Sequence, residues 1–474
     1  GFSGSCYAQN TKRNGPIQAG WLGDTGIRAK RELGWNMAEV VLQYLEEYAK
    51  VFDLLPHIQF STRVVRVERS TTEGRATWVV TTEKSDTSSA SGVKRETLSN
   101  VHAIFSANGR HGRPVFPSSI PGLDSWVSKG KASHSMFYRE PHSYRNKTIV
   151  VVGNGPSALD LAPEIADVAK MVYRSVRNKA SGSIDARDRP ANESSVTAVT
   201  EKLKICTAIR SLDDPEAGII SLVDGTKLSG VDHVLFATGY EFWSPFFAED
   251  VLRESRNEKI EPKEGLFNTG QSVIPTSKHL IPLSPSIPIG SWFILGLPRP
   301  VVPFPLVEAQ CLLASAILTG KVHLDFDTEM EEFEELWEKL KEKFDGDPSM
   351  MSSEWHKLPE EKQFDYRCDL VNISGGDVDA MVPRWQRSIY AAKRELKAAW
   401  NAIDKQGKAE EKVSGVGEGG EQEWVGLMFD ILREYGKSSS RGQADLRFFR
   451  APGINTAALE RGCFILGAMS WSRS

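Results

Sequence analysis

Residues 147–178 read KTIVVVGNGPSALDLAPEIADVAKMVYRSVRN, and their pattern decides the fold. An apolar run at 149–152 leads into Gly153-Asn154-Gly155-Pro156-Ser157-Ala158. Beyond it Leu159, Ala162, Ile165 and Ala166 recur at helical spacing, and a second apolar run ends at Arg174-Ser175-Val176-Arg177. Strand, glycine turn, helix and strand in that order predict a βαβ unit. The turn matches G-x-G-x-x-G/A. Gly153 permits the tight bend, Gly155 lets the backbone approach a pyrophosphate, and Ala158 keeps helix and strand close, while the helix N-terminus offers free N–H groups to the anion. A lone match of this kind is as often structural; the flanking strand and helix are what favour dinucleotide binding here. An NAD site places a carboxylate about twenty residues past the turn to bind the ribose 2′-hydroxyl. At that distance the chain has Arg174 and Arg177 around Ser175, which suits the 2′-phosphate of NADP(H). The competing reading is that both arginines are merely solvated at a strand end.

Working outward, 474 residues correspond to two to four domains at about 150 residues each. A formal charge of −4 excludes a global basic field for nucleic acid or anionic lipid, so small molecules are the expected partners. Cys6, Cys206, Cys311, Cys368 and Cys463 lie far apart with no Cys-x-x-Cys pair. They argue against a disulfide framework or a zinc site, and no metal is expected. No apolar run reaches the roughly 18 residues of a membrane span, and the opening GFSGSCYAQN is unlike a signal peptide. A cytoplasmic location fits this pattern; the oligomeric state is left open.

Residues 1–36 are polar and glycine-rich and are expected to be disordered, with order beginning in a helix near Met37 whose Val41, Tyr44, Leu45, Tyr48 and Phe52 line one face. Residues 58–70 and 76–83 read as strands, followed by a polar loop at 85–92 and a third strand in VHAIFSANG, ending at Gly109. Pro114, Pro117 and Pro121 mark a crossover. AGIISLVD, DHVLFATGY and SWFILGL are further strands, and PLVEAQCLLASAILTG, TEMEEFEELWEKLKEKF and WQRSIYAAKRELKAAWNAI are helices. The Glu-rich run at 329–343 reads as a solvated face, the twelve tryptophans as packing, and KQGKAEEKVSGVGEGGEQE as low-complexity and disordered.

Several of these segments resemble, in order, those of the flavin-containing monooxygenases, over residues 37–404. That family carries F-x-G-x-x-x-H-x-x-x-Y/F shortly before its NADP turn. Here Gly130, His134 and Tyr138 match and Ser128 replaces the leading Phe. The related Baeyer–Villiger enzymes carry Trp where Tyr138 stands, which favours a heteroatom monooxygenase. LFATGY (235–240) and ANGRHGRPVFPSSIPGL (107–123) resemble the two crossings between domains, and GLPRPVVPFPLVEAQ (296–310) a late flavin-domain helix. The resemblance implies an α/β fold of two nested Rossmann-like domains of FAD/NAD(P)-binding type. Its divisions are a leading flavin-domain segment at 37–146, an NADP domain at 147–238, a returning flavin-domain segment with C-terminal helices at 239–404, and an atypical tail at 405–474. Thr238 and Gly239 are then further NADP contacts, and Val64, Asn108 and Gly109 FAD contacts. His134 is the one candidate for a catalytic role, against the reading that it hydrogen-bonds backbone to fix a hinge.

The family opens with a second G-x-G-x-x-G for FAD. Here the nearest sequence, Gly20-Trp21-Leu22-Gly23-Asp24-Thr25-Gly26, has the wrong spacing and no apolar strand before it. This leaves the flavin domain incomplete at its N-terminus and sets FAD binding in question. The expectation is a truncated or misassembled member, ahead of a paralogue that has lost flavin. The function implied is an NADPH- and FAD-dependent monooxygenase that uses molecular oxygen and transfers one atom from a flavin C4a-hydroperoxide to a soft nitrogen or sulfur nucleophile. The alternatives are a catalytically silent NADP-binding protein and a Baeyer–Villiger oxygenase. No G-x-S-x-G, H-E-x-x-H or paired-carboxylate signature competes with these readings.

Overall fold

The computed structural model describes residues 37–438, apart from 73–74, 86–91, 118, 178–200, 257–259, 360 and 418–419; the expectations for 1–36, the Gly20–Gly26 turn included, and for 439–474 lie outside the described residues. The chain forms two compact units, and the described residues divide between them at Arg387 and Ser388. Among the described residues no helix is long and apolar enough to cross a membrane, and no cluster of three or more His, Cys, Asp or Glu could hold a metal ion.

The first unit starts with α1 (Met37–Val51) and an antiparallel sheet of β1 (Thr62–Thr72), β2 (Arg75–Ser85) and β3 (Val93–Val101). The third strand expected in VHAIFSANG is divided: Val101 ends β3, and β4 (Ile104–Ser106) starts a different sheet. Strand β3 carries no apolar alternation because it is exposed along almost its whole length; backbone pairing with β2, Val80 opposite Leu98, makes it a strand. The chain then crosses through β5 (Arg113–Pro114) to α2 (Leu123–Ser128), β6 (Ala132–His134), β7 (Thr148–Val152), α3 (Pro156–Ala166), β8 (Met171–Ser175) and β9 (Leu203–Cys206). A meander, β10 (Ile209–Asp214), β11 (Ile219–Leu222) and β12 (Lys227–Leu228), precedes β13 (His233–Phe236), and β14 (Tyr240–Glu241) returns the chain to the first side.

Strands β6, β13, β7, β8 and β9, in that order, make a parallel sheet. It reaches further back than the expected start at residue 147. Strand β6 is too short to show a period, yet it pairs with β13, and Trp126 of α2 is fully buried in a cluster with Ala132, Val150, Leu212 and Phe236. On the other face α3 buries Ala158, Leu161, Ala162 and Ile165 against Ile149, Val151 and Leu235.

After β14 come the short strands β15 (Arg253–Glu254), β16 (Phe267–Asn268), β17 (Val273–Ile274), β18 (Thr276–Ser277) and β19 (Ile281–Pro282), then β20 (Trp292–Ile294), which pairs in parallel with β4. Tryptophans close this core. Trp78 donates its indole N–H to the Ser291 carbonyl at 2.9 Å and meets Trp292 edge-on, while Trp292 donates to the Ser106 hydroxyl at 2.9 Å. Helices α4 (Pro303–Leu318), α5 (Phe326–Lys343), α6 (Pro348–Trp355), α7 (Lys362–Ile373), α8 (Val378–Met381) and α9 (Arg384–Ala391) follow. The Glu-rich face of α5 is not solvated throughout: Glu329 is buried and takes Lys278 at 3.0 Å and the Ser277 hydroxyl, because strand β18 packs on that turn of the helix.

The second unit contains α10 (Lys393–Lys405), α11 (Ala409–Val413) and α12 (Glu421–Ser438). The stretch expected to be low-complexity and disordered is thus partly helical. Helix α12 buries Val425, Met428, Phe429, Ile431 and Leu432, an apolar face that lies mostly beyond the polar stretch itself, and Lys412 of α11 pairs with Glu434 of α12 at 2.9 Å.

Burial holds the first unit's inner histidines neutral. His134 and His111 are pushed down to about 4 by desolvation, and so is His233, whose Nε2 lies 2.7 Å from the Ser133 hydroxyl. A base whose folded pKa is depressed leaves the unfolded chain as the better proton binder on acidification, so the stability held above about 6.5 is lost as pH falls towards 4. For the fully buried His134 the slope is about 1.4 kcal/mol per pH unit within that window. Urea titrations should therefore show a midpoint that is flat above neutrality and falls between pH 6.5 and 4; a midpoint that holds steady to pH 4.5 contradicts the assignment.

Candidate functional site

The glycine turn leaves β7 at the centre of the parallel sheet, where the chain passes to β8 on one side and β13 lies on the other. Strand order reverses there, and the crevice beyond the carboxyl ends of two such strands is where open α/β sheets bind ligands. Ile149, Val150 and Val151 are fully buried, which fixes the strand that carries the turn. Gly153 adopts φ +140, and a Cβ on it would lie 2.5 Å from the Ala237 carbonyl oxygen and 3.5 Å from the Ala158 Cβ. Any side chain there would push β7 and β13 apart.

Gly155 is the opposite case. It precedes the first turn of α3 in an extended conformation, and a Cβ there would meet nothing within 4 Å. The open space lies at the start of an eleven-residue helix with Pro156 in its first turn and no acidic residue beside it. Asn154, Gly155 and Pro156 are exposed, Ser157 is half-buried and Ala158 is buried. Among the described residues no side chain caps the first N–H groups of α3 and no acidic residue of its first turn opposes the positive end of the helix dipole, which fits a pyrophosphate.

The residues expected at the 2′-phosphate separate. Arg174 is buried within β8, paired with Val151 on one side and Ile205 on the other. The Ser175 hydroxyl donates to the Thr207 carbonyl at 3.0 Å, and its own carbonyl accepts from Gly153 N at 3.0 Å. Arg177, one residue past Val176, is exposed. Sequence reading treats the two arginines alike; the sheet buries one and leaves the other to solvent.

Thr238 and Gly239 turn towards the other crossing. The Thr238 hydroxyl donates to the Val115 carbonyl at 2.5 Å, and Val115 N donates to the Gly239 carbonyl at 3.0 Å. Strands β5 and β14 pair antiparallel just beyond, Tyr240 opposite Pro114 and Glu241 opposite Arg113. His134 is fully buried at the end of β6. Its Nδ1 accepts from Met136 N at 3.1 Å, and its ring meets Phe116 of one crossing and Tyr240 of the other. Sequence reading passes over Phe116 and takes Tyr240 only as a member of a motif; PVFP and ATGY are the available signals.

Of the residues expected to contact FAD, Asn108 donates its amide N–H to the Trp243 carbonyl at 3.3 Å, and Gly109 sits at φ +68 in open space. Val64 lies on β1 opposite Thr82, 38% exposed, beside a break in register. Among the described residues β4 and β20 form a two-stranded parallel sheet, and no second glycine turn opens a helix after either strand. The described residues fit a nicotinamide dinucleotide and do not by themselves supply a pyrophosphate site for FAD.

Residues 35–185 match the family described as Flavin-binding monooxygenase-like. Flavin-containing monooxygenase FMO GS-OX-like 2 of Arabidopsis thaliana is 30% identical over 331 residues, which cover 69% of this chain and 61% of that protein. The Thiol-specific monooxygenase of Saccharomyces cerevisiae is 29% identical over 280 residues, 58% of this chain and 56% of that one. In fold, S-allyl-L-cysteine S-oxygenase from Allium sativum superposes with a TM-score of 0.59 at 23% identity, covering 90% of this chain and 82% of that one. The chain spans about three-fifths of the length of the curated relatives it matches. With the glycine turn between β7 and α3 and these likenesses beside it, the chain is related in sequence and in fold to the flavin-containing monooxygenases.

Proposed function

We propose that the chain binds NADPH at the Gly153–Ala158 turn and serves a flavin-dependent monooxygenation of a soft sulfur or nitrogen nucleophile. The observation that carries the reading is the pairing of a closed Gly153, seated on the Ala237 carbonyl, with an open Gly155 at the α3 N-terminus. The names of relatives support the reaction class: one is thiol-specific, another an S-oxygenase. Sulfur is accordingly the first substrate to test.

The chain's own contribution is binding and orientation. Backbone N–H groups of the turn and of the first turn of α3 receive the pyrophosphate, and Arg177 offers its guanidinium to the 2′-phosphate. Burial keeps His134 neutral, and with its Nδ1 accepting from Met136 N the ring proton resides on Nε2. A bound flavin supplies the oxygen chemistry in this family. The described residues lack a phosphate turn for it. That lack favours one second reading, an NADP-binding protein without oxygenase activity.

NADPH should raise the unfolding temperature of the purified protein, and Gly155→Asp should abolish the rise while leaving the unliganded melt in place, since the aspartate fills open space with the wrong charge. Arg177→Ala should weaken NADPH about tenfold and NADH hardly at all, the loss of about one charge-assisted contact. Equal loss for both nucleotides would remove Arg177 from the 2′-phosphate. With FAD supplied, NADPH and a thioether should give oxygen uptake and a sulfoxide; protein that binds NADPH yet stays colourless and consumes no oxygen belongs to the second reading.

A further inference from the structure

We infer that His111 is a positioning residue for the nicotinamide-nucleotide turn, acting through Tyr240 and the segment 237–240; this rests on the NADPH reading above. The basis is a column of rings through both crossings. His111 meets Tyr240 edge-on at 4.9 Å and 88°, and Tyr240 meets His134 at 5.1 Å and 75°. His134 meets Phe116 at 5.7 Å, and Phe116 meets Phe236 of β13 at 5.7 Å. The contacts among His111, Tyr240, His134 and Phe116 are edge-to-face and directional, so each ring restricts the next.

Tyr240 is the member that reaches the site. It is buried at the start of β14, three residues after Ala237, whose carbonyl closes the space over Gly153. On its far side the segment is held by the pairing of Glu241 with Arg113 and by ion pairs from Glu241 to Arg113 at 3.5 Å and Arg256 at 2.8 Å. Between Ala237 and Glu241 the chain is fixed by the Thr238 hydroxyl, the Gly239 carbonyl and the Tyr240 ring. His111 is the ring that closes on Tyr240 from the first crossing. Deleting it removes the ring edge that Tyr240 packs on from that crossing, and displacement of residues 237–240 is felt at Gly153, where the carbonyl leaves no slack.

The effect should therefore fall on the pyrophosphate turn and spare the 2′-phosphate contact. His111→Ala should raise the NADPH dissociation constant about fivefold, while the affinity for 2′-AMP, which has no pyrophosphate, stays within about twofold of the parent. His111→Phe, which keeps a ring edge against Tyr240, should restore NADPH binding to within about twofold. His111→Ala with Tyr240→Leu should be no weaker than Tyr240→Leu alone, because both remove one contact. Circular dichroism melts on each variant separate loss of binding from loss of fold, and His111→Phe carries the test if the alanine variant unfolds. The inference is overturned if a folded His111→Ala binds NADPH like the parent, if 2′-AMP weakens in step with NADPH, or if phenylalanine fails to rescue. A parent protein that binds no NADPH would instead overturn the proposed function.

Discussion

The carbonyl of Ala237 occupies the space that a side chain at position 153 would need, 2.5 Å from where its Cβ would sit. Strands β7 and β13 run parallel and adjacent, so their carboxyl ends emerge together, and the chain leaving β7 must bend beneath the chain leaving β13. Only glycine accepts both the close approach and φ +140. Once that bend is made, α3 starts with its N-terminus towards solvent and Gly155 uncovered. The open helix N-terminus is the consequence of packing two strand ends tightly, and the helix dipole makes it electropositive.

The second constraint is topological. The sheet that carries this turn is inserted between two crossings, and β5 pairs with β14 so that outgoing and returning chain form one ribbon. Residues that look like ligand contacts in sequence are used to fasten this ribbon. The Thr238 hydroxyl is taken by Val115, the Gly239 carbonyl by Val115 N, and the His134 ring by Phe116 and Tyr240. A buried neutral histidine suits the role, having a polar edge for the backbone and an apolar face for its neighbours.

The part of the first unit built on β1–β4 and β20 has a different character. Parallel strands are ordinarily covered on both faces within larger sheets, yet among the described residues β4 pairs only with β20, and Phe105 is 45% exposed. The face of α1 that helical spacing marks as apolar is likewise open at Leu45, Tyr48 and Phe52, with Tyr44 turned towards Phe304. The core beneath is firmly built on Trp78, Phe247 and Trp292. This half is packed and supplies a sheet edge, while the five-stranded parallel sheet supplies the only G-x-G-x-x-A turn between a strand and a helix among the described residues.

Local sequence alone determined the βαβ unit, because a buried parallel strand, a glycine bend and a helix start each depend on neighbours a few residues apart. It also determined the order of segments by which the family is recognised, and the strands whose apolar residues repeat. It passed over β3 and β6, one exposed and one three residues long, since their pairing is a matter of backbone bonds to distant partners. Only the tertiary structure decided which arginine stays outside, that Glu329 is an inward carboxylate, and that His111, Tyr240, His134 and Phe116 form one column. Those outcomes depend on which strands lie side by side and which side chains a crossing brings together, and residues 111 and 240 have nothing in common along the chain until the sheet between them is folded.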